Sequence, residues 1–339
     1  MTRKALVGLI AASALALPLT AAHAEGEKSV GLLFDVTGRG DKSFNDSAAA
    51  GLDKAKAEFT SLKATESAPS GDADRPERVK TMADAKTGLI ICVGFLWTKD
   101  CTASAKANPG TSYAIIDDVI DAPNAASLLF KEQEGSYLVG VAAAQASKSN
   151  KIGFVGGVRI ESIQRFEAGF VAGVKSVKPK AVITVKYATE PPDFSGFSDA
   201  AKGKTIAKAM YASGIDVIFH AAGGTGLGVF AAAKESGKKP GKIWAIGVDS
   251  DQYQTVNADG GQAYILTSML KRVDVATYEA IKAYNAGKPL SGIQTFDLKV
   301  DGVGYAKSNK ALKPYEAKMI KAKADIISGK IVVPSKPAA

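Results

Sequence analysis

Short apolar runs alternate with longer amphipathic stretches along most of the chain. The runs are rich in Val, Ile and Phe, which favours buried strands. The predicted strands cover residues 30–34, 89–93, 113–116, 152–155, 181–185, 215–219, 243–248 and 264–266. Helical spacing predicts helices that include residues 137–146, 163–177, 204–212 and 272–286. Regular alternation of strand and helix is typical of parallel sheets flanked by helices, so the predicted fold class is α/β.

Two of the predicted strands resemble each other. Val-Gly-Leu-Leu-Phe occupies residues 30–34 and Ile-Gly-Phe-Val-Gly occupies 152–156, and each precedes a helix rich in small residues. We therefore expect two similar lobes, which meet near the polar segment 147–151. The predicted first lobe comprises residues 25–148 and about 272–290, and the predicted second lobe comprises 149–271 and about 291–335.

The first 24 residues have the organisation of a secretory signal peptide. Two basic residues precede an apolar run, and Ala-His-Ala follows at 22–24. The apolar run is shorter than the roughly 20 residues that a membrane-spanning helix needs, and no later segment is long enough. The first cysteine is Cys92, so no lipid attachment site follows the signal. The sequence therefore predicts a periplasmic protein with neither a membrane span nor a lipid anchor.

Composition narrows the class of protein further. Of the 339 residues, 46% are apolar and 23% are charged, which excludes a disordered chain and suffices for two hydrophobic cores. The formal net charge of +9 is modest. Its densest basic stretch, 307–336, is interpreted as a solvated helix face rather than a surface for an acidic partner or a membrane.

Histidine and cysteine are scarce. Only His220 remains after removal of the signal, and Cys92 and Cys101 are the two cysteines, so a His-rich or Cys-rich zinc site is excluded. His220 ends an apolar run and is interpreted as a packed residue at a strand end. An oxidising compartment allows a disulfide between Cys92 and Cys101, but their spacing does not establish the geometry, and the pairing stays open.

Several candidate binding residues lie at the ends of predicted strands or at the start of the following helix. They are Asp35, Phe44, Asn45, Asp249 and Lys271. Ligands of open parallel sheets bind beyond the carboxyl ends of the strands, so we expect these side chains to share a cleft. Alternatively, the aspartates and the asparagine cap turns and helices, and taken alone Asn45 fits a cap better. A buried lysine requires an acidic or hydroxylic partner.

A glycine-rich segment and a few aromatic residues complete the candidate chemistry. Residues 221–228 follow a predicted strand but lack the Gly-x-x-x-x-Gly-Lys-Ser/Thr pattern and the dinucleotide-binding spacing. Nucleotide hydrolysis and dinucleotide cofactors are therefore not expected. Two rings among Phe44, Trp97, Phe194 and Phe197 could sandwich a flat heterocycle, although each ring taken singly fits a packing role better.

Three motifs resemble those of one protein family. They are the first strand with Gly-Asp-Lys-Ser-Phe-Asn at 40–45, Gly-Val-Asp-Ser-Asp-Gln at 247–252, and Leu-Thr-Ser-Met-Leu-Lys at 266–271. Their order and spacing are similar to those of the basic membrane protein family of solute-binding proteins, from about residue 28 to about 333. The resemblance implies a two-lobed, type 1 periplasmic binding protein with its ligand cleft between the lobes. It also implies delivery of nucleosides, with purine nucleosides favoured, to an ATP-driven membrane permease.

The resemblance also implies roles for individual residues. Phe44 and Phe197 match rings that stack on the base, while Asp35 and Asn45 match polar residues on the base side of the cleft. The remaining matches are Asp249 and Lys271 for the ribose, Gly223 and Gly224 for a glycine turn near the ligand, and Asp117 as a residue that reaches the base. We expect a monomer without a cofactor, a metal ion or a nucleic-acid partner.

Two other functions are kept as alternatives. A periplasmic receptor for a sugar or a signalling molecule would have the same fold but would report to a membrane sensor. A nucleoside hydrolase would use Asp35 and Asp249 to hold a metal ion or a water molecule, but no cluster of three or four carboxylates occurs at one turn. Stacking does not distinguish purines from pyrimidines, so the preferred base stays open.

Overall fold

The first of two sheets has six parallel strands. The computed structural model describes residues 28–338, so the predicted signal peptide lies outside the described residues. The strands of this sheet are β1 (Ser29–Leu33), β2 (Lys63–Ser67), β3 (Leu89–Val93), β4 (Ser112–Ile116), β5 (Ala125–Phe130) and β11 (Gly292–Phe296). Their order across the sheet is β11-β5-β4-β3-β1-β2.

The second sheet repeats this order with one reversal of direction. Its strands are β6 (Lys151–Val158), β7 (Val182–Thr189), β8 (Val217–Ala221), β9 (Trp244–Asp249), β10 (Ile265–Lys271) and β12 (Val303–Tyr305). They are arranged β12-β10-β9-β8-β6-β7, and only β12 is antiparallel to its neighbour. Strands β1 and β6, which carry the two similar sequences, occupy equivalent places. The predicted α/β class with two parallel-dominated sheets is confirmed.

Helices flank both sheets. They are α1 (Phe44–Glu58), α2 (Arg75–Asp84), α3 (Thr98–Ala107), α4 (Glu132–Ala146), α5 (Glu161–Val177), α6 (Ala200–Ala212), α7 (Gly226–Glu235), α8 (Gln252–Thr255), α9 (Val273–Asn285) and α10 (Glu316–Ile327). In the part of the chain that the structure describes, no helix combines the length and the apolar character needed to cross a membrane.

Two helices are exchanged between the lobes. Helix α4 follows β5 of the first sheet but packs against α5 and against β8, β9 and β10 of the second sheet. Helix α9 follows β10 of the second sheet but packs against α1, β3 and β4 of the first. The chain therefore crosses between the lobes at residues 130–132, 271–273 and 296–303.

This exchange differs from the predicted lobe boundaries. The prediction kept residues up to 148 in the first lobe, whereas α4 lies on the second. It also placed residues from about 291 in the second lobe, whereas β11 pairs with β5 of the first sheet. The physical reason is the apolar surface of α4, which is buried on nearly all sides between α5 and the second sheet.

Close helix packing fixes α4 against α5. A Cβ on Gly140 would lie 2.4 Å from the backbone oxygen of Phe170, and one on Gly173 would lie 2.1 Å from that of Tyr137. Only glycine permits this approach, because a real Cβ does not come so close to a backbone oxygen. The exchanged helix α4 is thereby held on the second lobe.

The predicted packing residues lie in the core. His220 is fully buried at the end of β8, with its ring 5.0 Å from that of Phe230, and burial lowers its pKa to about 3. Trp97 is also fully buried and donates a hydrogen bond to the backbone oxygen of Phe34. Cys92 and Cys101 form a disulfide that joins β3 to α3.

Candidate functional site

A cavity lies between the two lobes, where the carboxyl ends of both sheets face each other. The lining residues surround about 670 Å³ of space that no protein atom fills, and part of this space is open to solvent. Residues that follow β1, β3 and β4 line one side, and residues that end or follow β6, β8, β9 and β10 line the other. This is the place where the backbone donors and polar residues of open parallel sheets converge.

Eight of the nine predicted binding residues line this cavity. They are Asp35, Phe44, Asn45, Asp117, Phe197, Gly223, Asp249 and Lys271. The ninth, Gly224, lies beside the cavity, where a Cβ would meet the backbone oxygen of Phe197 at 3.5 Å. The predicted residues thus come together in space, but Gly224 belongs to the turn beside the cavity and does not line it.

Asp35 is a buried carboxyl at the end of β1. Its backbone N–H donates to the Asn45 Oδ1 at 2.9 Å, so the Asn45 amide ties α1 to the end of the strand. Burial raises the pKa of Asp35 to about 7, against the opposing effect of Arg75, whose guanidinium lies 3.5 Å away. The carboxyl Oδ1 is buried and receives no hydrogen bond from the described residues.

Asp41, a residue that the sequence prediction did not select, binds the free N–H groups at the start of α1. Its carboxylate accepts hydrogen bonds from the backbone N–H groups of Ser43, Asn45 and Asp46 at 2.8–3.1 Å. The alternative that Asn45 caps the helix is therefore wrong, because its Oδ1 accepts from the Asp35 N–H. The carboxylate of the next residue, Asp46, accepts from the Gly40 N–H. Burial also raises the pKa of Asp41, which lines the cavity.

Asp117 and Asp249 occupy equivalent places in the two lobes. Asp117 follows β4 and Asp249 ends β9, and both have left-handed backbone angles, with φ of 72° and 64°. Aspartate tolerates this conformation better than most residues. Burial raises the pKa of Asp249 to about 7, although Lys271 and a hydrogen bond from Ser43 oppose the shift.

Lys271 is almost fully buried and lies among carboxylates. Its Nζ is 2.5 Å from the Asp117 Oδ2 and 3.2 Å from the Glu132 Oε1. Glu132 is fully buried and also accepts from the Nε of Arg165 at 2.7 Å. Burial acts to lower the pKa of Lys271, but Asp117, Glu132 and Asp249 together raise it above its usual value. The ammonium therefore stays charged inside the cavity wall.

Glu132 and Arg165 were not predicted from the sequence as site residues. An acidic residue in the first turn of a helix usually faces solvent and interacts with the helix dipole. Burial acts to raise the pKa of Glu132, but Lys271 and Arg165 hold it below its usual value. The exchange of α4 onto the second lobe buries this carboxylate, and no local pattern of residues signals that exchange.

Aromatic rings provide the apolar part of the lining. Phe44, Phe95, Phe166 and Phe197 contribute to the cavity wall. Phe95 of the first lobe and Phe194 of the second make an edge-to-face contact, with ring centroids 5.5 Å apart. Of the four aromatic candidates, Phe44 and Phe197 line the cavity, Phe194 contacts Phe95, and Trp97 is a core residue.

The two lobes contact each other directly around the cavity. The Gln252 Nε2 donates to the backbone oxygen of Lys42 at 3.0 Å, and the Ser250 Oγ donates to that of Ser43 at 3.2 Å. Together with the side-chain bond from Ser43 to Asp249, these contacts join the start of α1 to the end of β9. The structure is therefore in a closed arrangement.

Carboxylates dominate the charge of the cavity wall. Asp35, Asp41, Asp117 and Asp249 face Lys271 as the one cation among the lining residues. Within residues 28–338, no three His, Cys, Asp or Glu side chains are placed to share a metal ion. The chemistry of this wall is recognition by hydrogen-bond acceptors, one ammonium and aromatic faces, which suits a polar ligand with a flat ring.

The chain matches a family model over nearly all of its described length. The model is described as ABC transporter substrate-binding protein PnrA-like, and it matches residues 28–337. The CD4+ T-cell-stimulating antigen of Listeria monocytogenes is 42% identical over 322 residues, which cover 91% of this chain and 88% of that protein. The ABC transporter nucleoside-binding protein BmpA of Lactococcus lactis subsp. cremoris is 39% identical over 329 residues, which cover 94% and 92%.

Similarity extends to a solved structure. An ABC transporter solute-binding protein from Aeropyrum pernix K1 aligns with a TM-score of 0.79 and 30% sequence identity. The alignment covers 91% of this chain and 94% of that one. The type 1 periplasmic binding fold, with a ligand cleft between two lobes, therefore holds for this chain as well.

Proposed function

The chain belongs to the PnrA-like family of ABC transporter substrate-binding proteins, and from this premise we propose that it binds nucleosides between its lobes and delivers them to a membrane permease. Membership confirms the resemblance drawn from the three sequence motifs. A protein of this family binds a solute rather than transforming it, so the output of the cavity is a closed complex. BmpA, the relative from Lactococcus, carries nucleoside binding in its name.

One observation carries the choice of nucleosides: a single cavity combines aromatic rings with carboxylates and an ammonium. Phe44 and Phe197 would stack on the base, since every nucleobase has a π face. Asp249 and Lys271 would bind the ribose, because a hydroxyl donates to a carboxylate and accepts from an ammonium. Such charge-assisted bonds are about twice as strong as neutral ones.

Two acceptors in the cavity wall support a ligand rich in donors. The Oδ1 of Asp117 is buried and receives no hydrogen bond from the described residues, and the buried Oδ1 of Asp35 likewise receives none, although the Arg75 guanidinium lies 3.5 Å from it. Buried polar atoms are normally paired, so a bound molecule is expected to supply N–H or O–H groups there. The N–H groups of a purine edge and the hydroxyls of a ribose are donors of this kind.

We further propose that the mature protein acts as a periplasmic monomer after removal of residues 1–24. Membership in a family of ABC transporter substrate-binding proteins supports a permease as the partner, and two closed lobes would present one surface to that permease. Purine nucleosides are the proposed preference, because the resemblance of the three motifs favours them. We propose no catalytic step at this site.

A thermal-shift panel tests the proposal. The protein is unfolded and refolded to remove any ligand carried through purification, and is then heated with adenosine, guanosine, inosine, uridine, cytidine, the free bases, ribose or galactose. A ligand that binds only the folded state at about 100 times its Kd stabilises it by about 2.7 kcal/mol. For a domain of 150–250 residues, Tm rises by about 2–4 °C for each kcal/mol, so the expected shift is about 5–11 °C.

The panel separates the candidate functions. Shifts with nucleosides, but not with free bases or ribose, support the proposal, and larger shifts with adenosine, guanosine and inosine support the purine preference. Shifts with ribose or galactose alone would instead favour a sugar receptor of the same fold. Incubation of the protein with a nucleoside and detection of the free base by chromatography would instead favour a hydrolase.

A further inference from the structure

We propose that Glu132 is a positioning residue that fixes the Lys271 ammonium against the ribose and thereby links nucleoside recognition to the hinge. The inference rests on the proposed nucleoside function. Glu132 begins α4 at the first crossing between the lobes, and Lys271 ends β10 at the second crossing. The ion pair between them, with 3.2 Å from Nζ to Oε1, therefore joins two separate chain segments of the hinge.

Glu132 can act on Lys271 because its own position is rigid. The side chain is fully buried, and its second oxygen accepts from the Arg165 Nε at 2.7 Å. Arg165 lies on α5, which packs closely against α4. The guanidinium also donates a longer bond, at 3.4 Å, from Nη2 to Oε1, the oxygen that faces the ammonium. Arg165 thus holds both oxygens of the carboxylate in place beside Lys271.

The hydrogen-bond capacity of Lys271 explains why this matters for a ligand. An ammonium has three donors. One donates to the Asp117 Oδ2 at 2.5 Å, the Glu132 Oε1 forms an ion pair with the ammonium at 3.2 Å, and Lys271 also lines the cavity. Because the ammonium is held between these two carboxylates, its position is defined, and a remaining donor can serve a ribose hydroxyl.

Glu132 contacts Lys271 from a different side than the other neighbours of the ammonium do. Asp117 comes from the first lobe, and Asp249 contributes its charge from the cavity side. The rings of Phe44, Phe130 and Phe166 lie 5.1–5.6 Å from the ammonium and confine the side chain. Glu132 is the carboxylate that approaches from the hinge, so the position of the ammonium depends on how the crossings are held together.

The test compares ligands that have or lack the ribose hydroxyls. Affinities of wild type and Glu132→Gln are measured by calorimetry for adenosine and inosine and for their 2′,3′-dideoxy analogues. Glutamine preserves the size of the side chain but removes its charge. We expect the affinity for the ribonucleosides to fall about tenfold or more, while that for the dideoxy analogues changes by less than about twofold.

A matched control and a second variant sharpen the test. Glu134 is also in the first turn of α4, but it accepts from the backbone N–H of Leu298 and pairs with Lys131, away from Lys271. Glu134→Gln should therefore leave the ratio of ribonucleoside affinity to dideoxynucleoside affinity unchanged. If Glu132→Gln does not fold, Glu132→Asp keeps the buried charge and withdraws the carboxylate by one methylene, and it should lower the same ratio less.

Each outcome decides the matter. A selective loss for the ribonucleosides supports the positioning role. An equal loss for both kinds of ligand would show a merely structural residue and would overturn the inference, as would unchanged affinities. If the wild-type protein binds none of these nucleosides, both the proposed function and the inference are overturned. If it binds them, the proposed function stands, and the variants alone decide whether Glu132 positions Lys271.

Discussion

Ser43 of the first lobe donates a hydrogen bond to Asp249 of the second, with 2.5 Å between Oγ and Oδ2. Ser43 is fully buried, and Asp249 is nearly so. The bond joins the residue before α1 to the last residue of β9, which lie on opposite sides of the cleft. A proposed ribose-binding residue is thus also a contact that holds the lobes closed.

Removal of this bond should favour the open form. Hydrogen bonds to charged groups contribute about 1.5–3 kcal/mol, so Ser43→Ala should weaken nucleoside binding by up to that amount. Small-angle scattering of the ligand-free variant should give a larger radius of gyration than wild type. Ser236→Ala is the control, because the Ser236 hydroxyl bonds only to nearby backbone: it donates to the Ala233 oxygen and accepts from the Lys238 N–H. Wild-type affinity and compactness in Ser43→Ala would contradict a role in closure.

Nucleoside affinity should rise as the pH increases through about 7. Asp35 and Asp249 have pKa values of about 7 in the ligand-free protein, mainly because burial disfavours their charge. N–H and O–H groups of a ligand bind the ionised carboxylates better, so binding releases protons and is weakened by acid. Calorimetry at pH 7 in two buffers of different ionisation enthalpy measures the release. Proton uptake, or affinity independent of pH, would exclude these carboxyls as acceptors.

The same two groups have the opposite effect on the stability of the ligand-free fold. A folded-state pKa above the usual 3.8 means that the folded protein holds a proton that the unfolded chain has lost. This contribution is full below about pH 4 and is lost as the pH rises to about 7. The difference in unfolding free energy between wild type and Asp249→Asn isolates it, since asparagine also tolerates the left-handed backbone.

Much of the site could be predicted because polar residues at strand ends are a local signal. Asp35, Asp117 and Asp249 each follow or end an apolar run, and the carboxyl ends of parallel strands meet at one edge. The repeated sequence at β1 and β6 indicated two similar lobes, and the two sheets have the same strand order. These inferences need only periodicity and the known chirality of βαβ units.

Other features depend on tertiary structure and leave no local trace. Strand β2 has the sequence Lys-Ala-Thr-Glu-Ser and lies at a sheet edge, so it lacks the apolar run of a central strand. The assignment of α4 to the second lobe depends on which sheet its apolar surface meets. Glu132 is buried at the site only because α4 packs on the second lobe, so its sequence position alone does not identify it. Asp41 was missed because its cap bonds reach residues from 43 to 46 through an irregular turn.

Loss of either proposed stacking ring should weaken nucleoside binding. Phe44→Ala and Phe197→Ala should each cost about 1–3 kcal/mol, the range for one base on one aromatic side chain. The matched control is Phe194→Ala, since Phe194 belongs to the same short turn as Phe197 but contacts Phe95 instead of lining the cavity. Competition titrations with adenosine and uridine provide the affinities. Wild-type affinity in both Phe44→Ala and Phe197→Ala would refute the base sandwich.

Close packing of α4 on α5 should make Gly173 intolerant of even a methyl group. The Cβ of Gly173→Ala would lie 2.1 Å from the backbone oxygen of Tyr137, so the two helices must move apart. Overpacking of this kind costs about 1–3 kcal/mol, despite the better helix propensity of alanine. Urea unfolding of the variant measures the loss.

A glycine with open surroundings provides the comparison. A Cβ on Gly110 would meet no atom within 4 Å, so Gly110→Ala should change the free energy of unfolding by less than about 0.5 kcal/mol. Since α4 carries Glu132 and α5 carries Arg165, separation of the helices should also move the carboxylate that faces Lys271. Gly173→Ala should therefore weaken binding of adenosine more than binding of its dideoxy analogue. Wild-type stability in Gly173→Ala would show that the helices are not packed as closely as the structure places them.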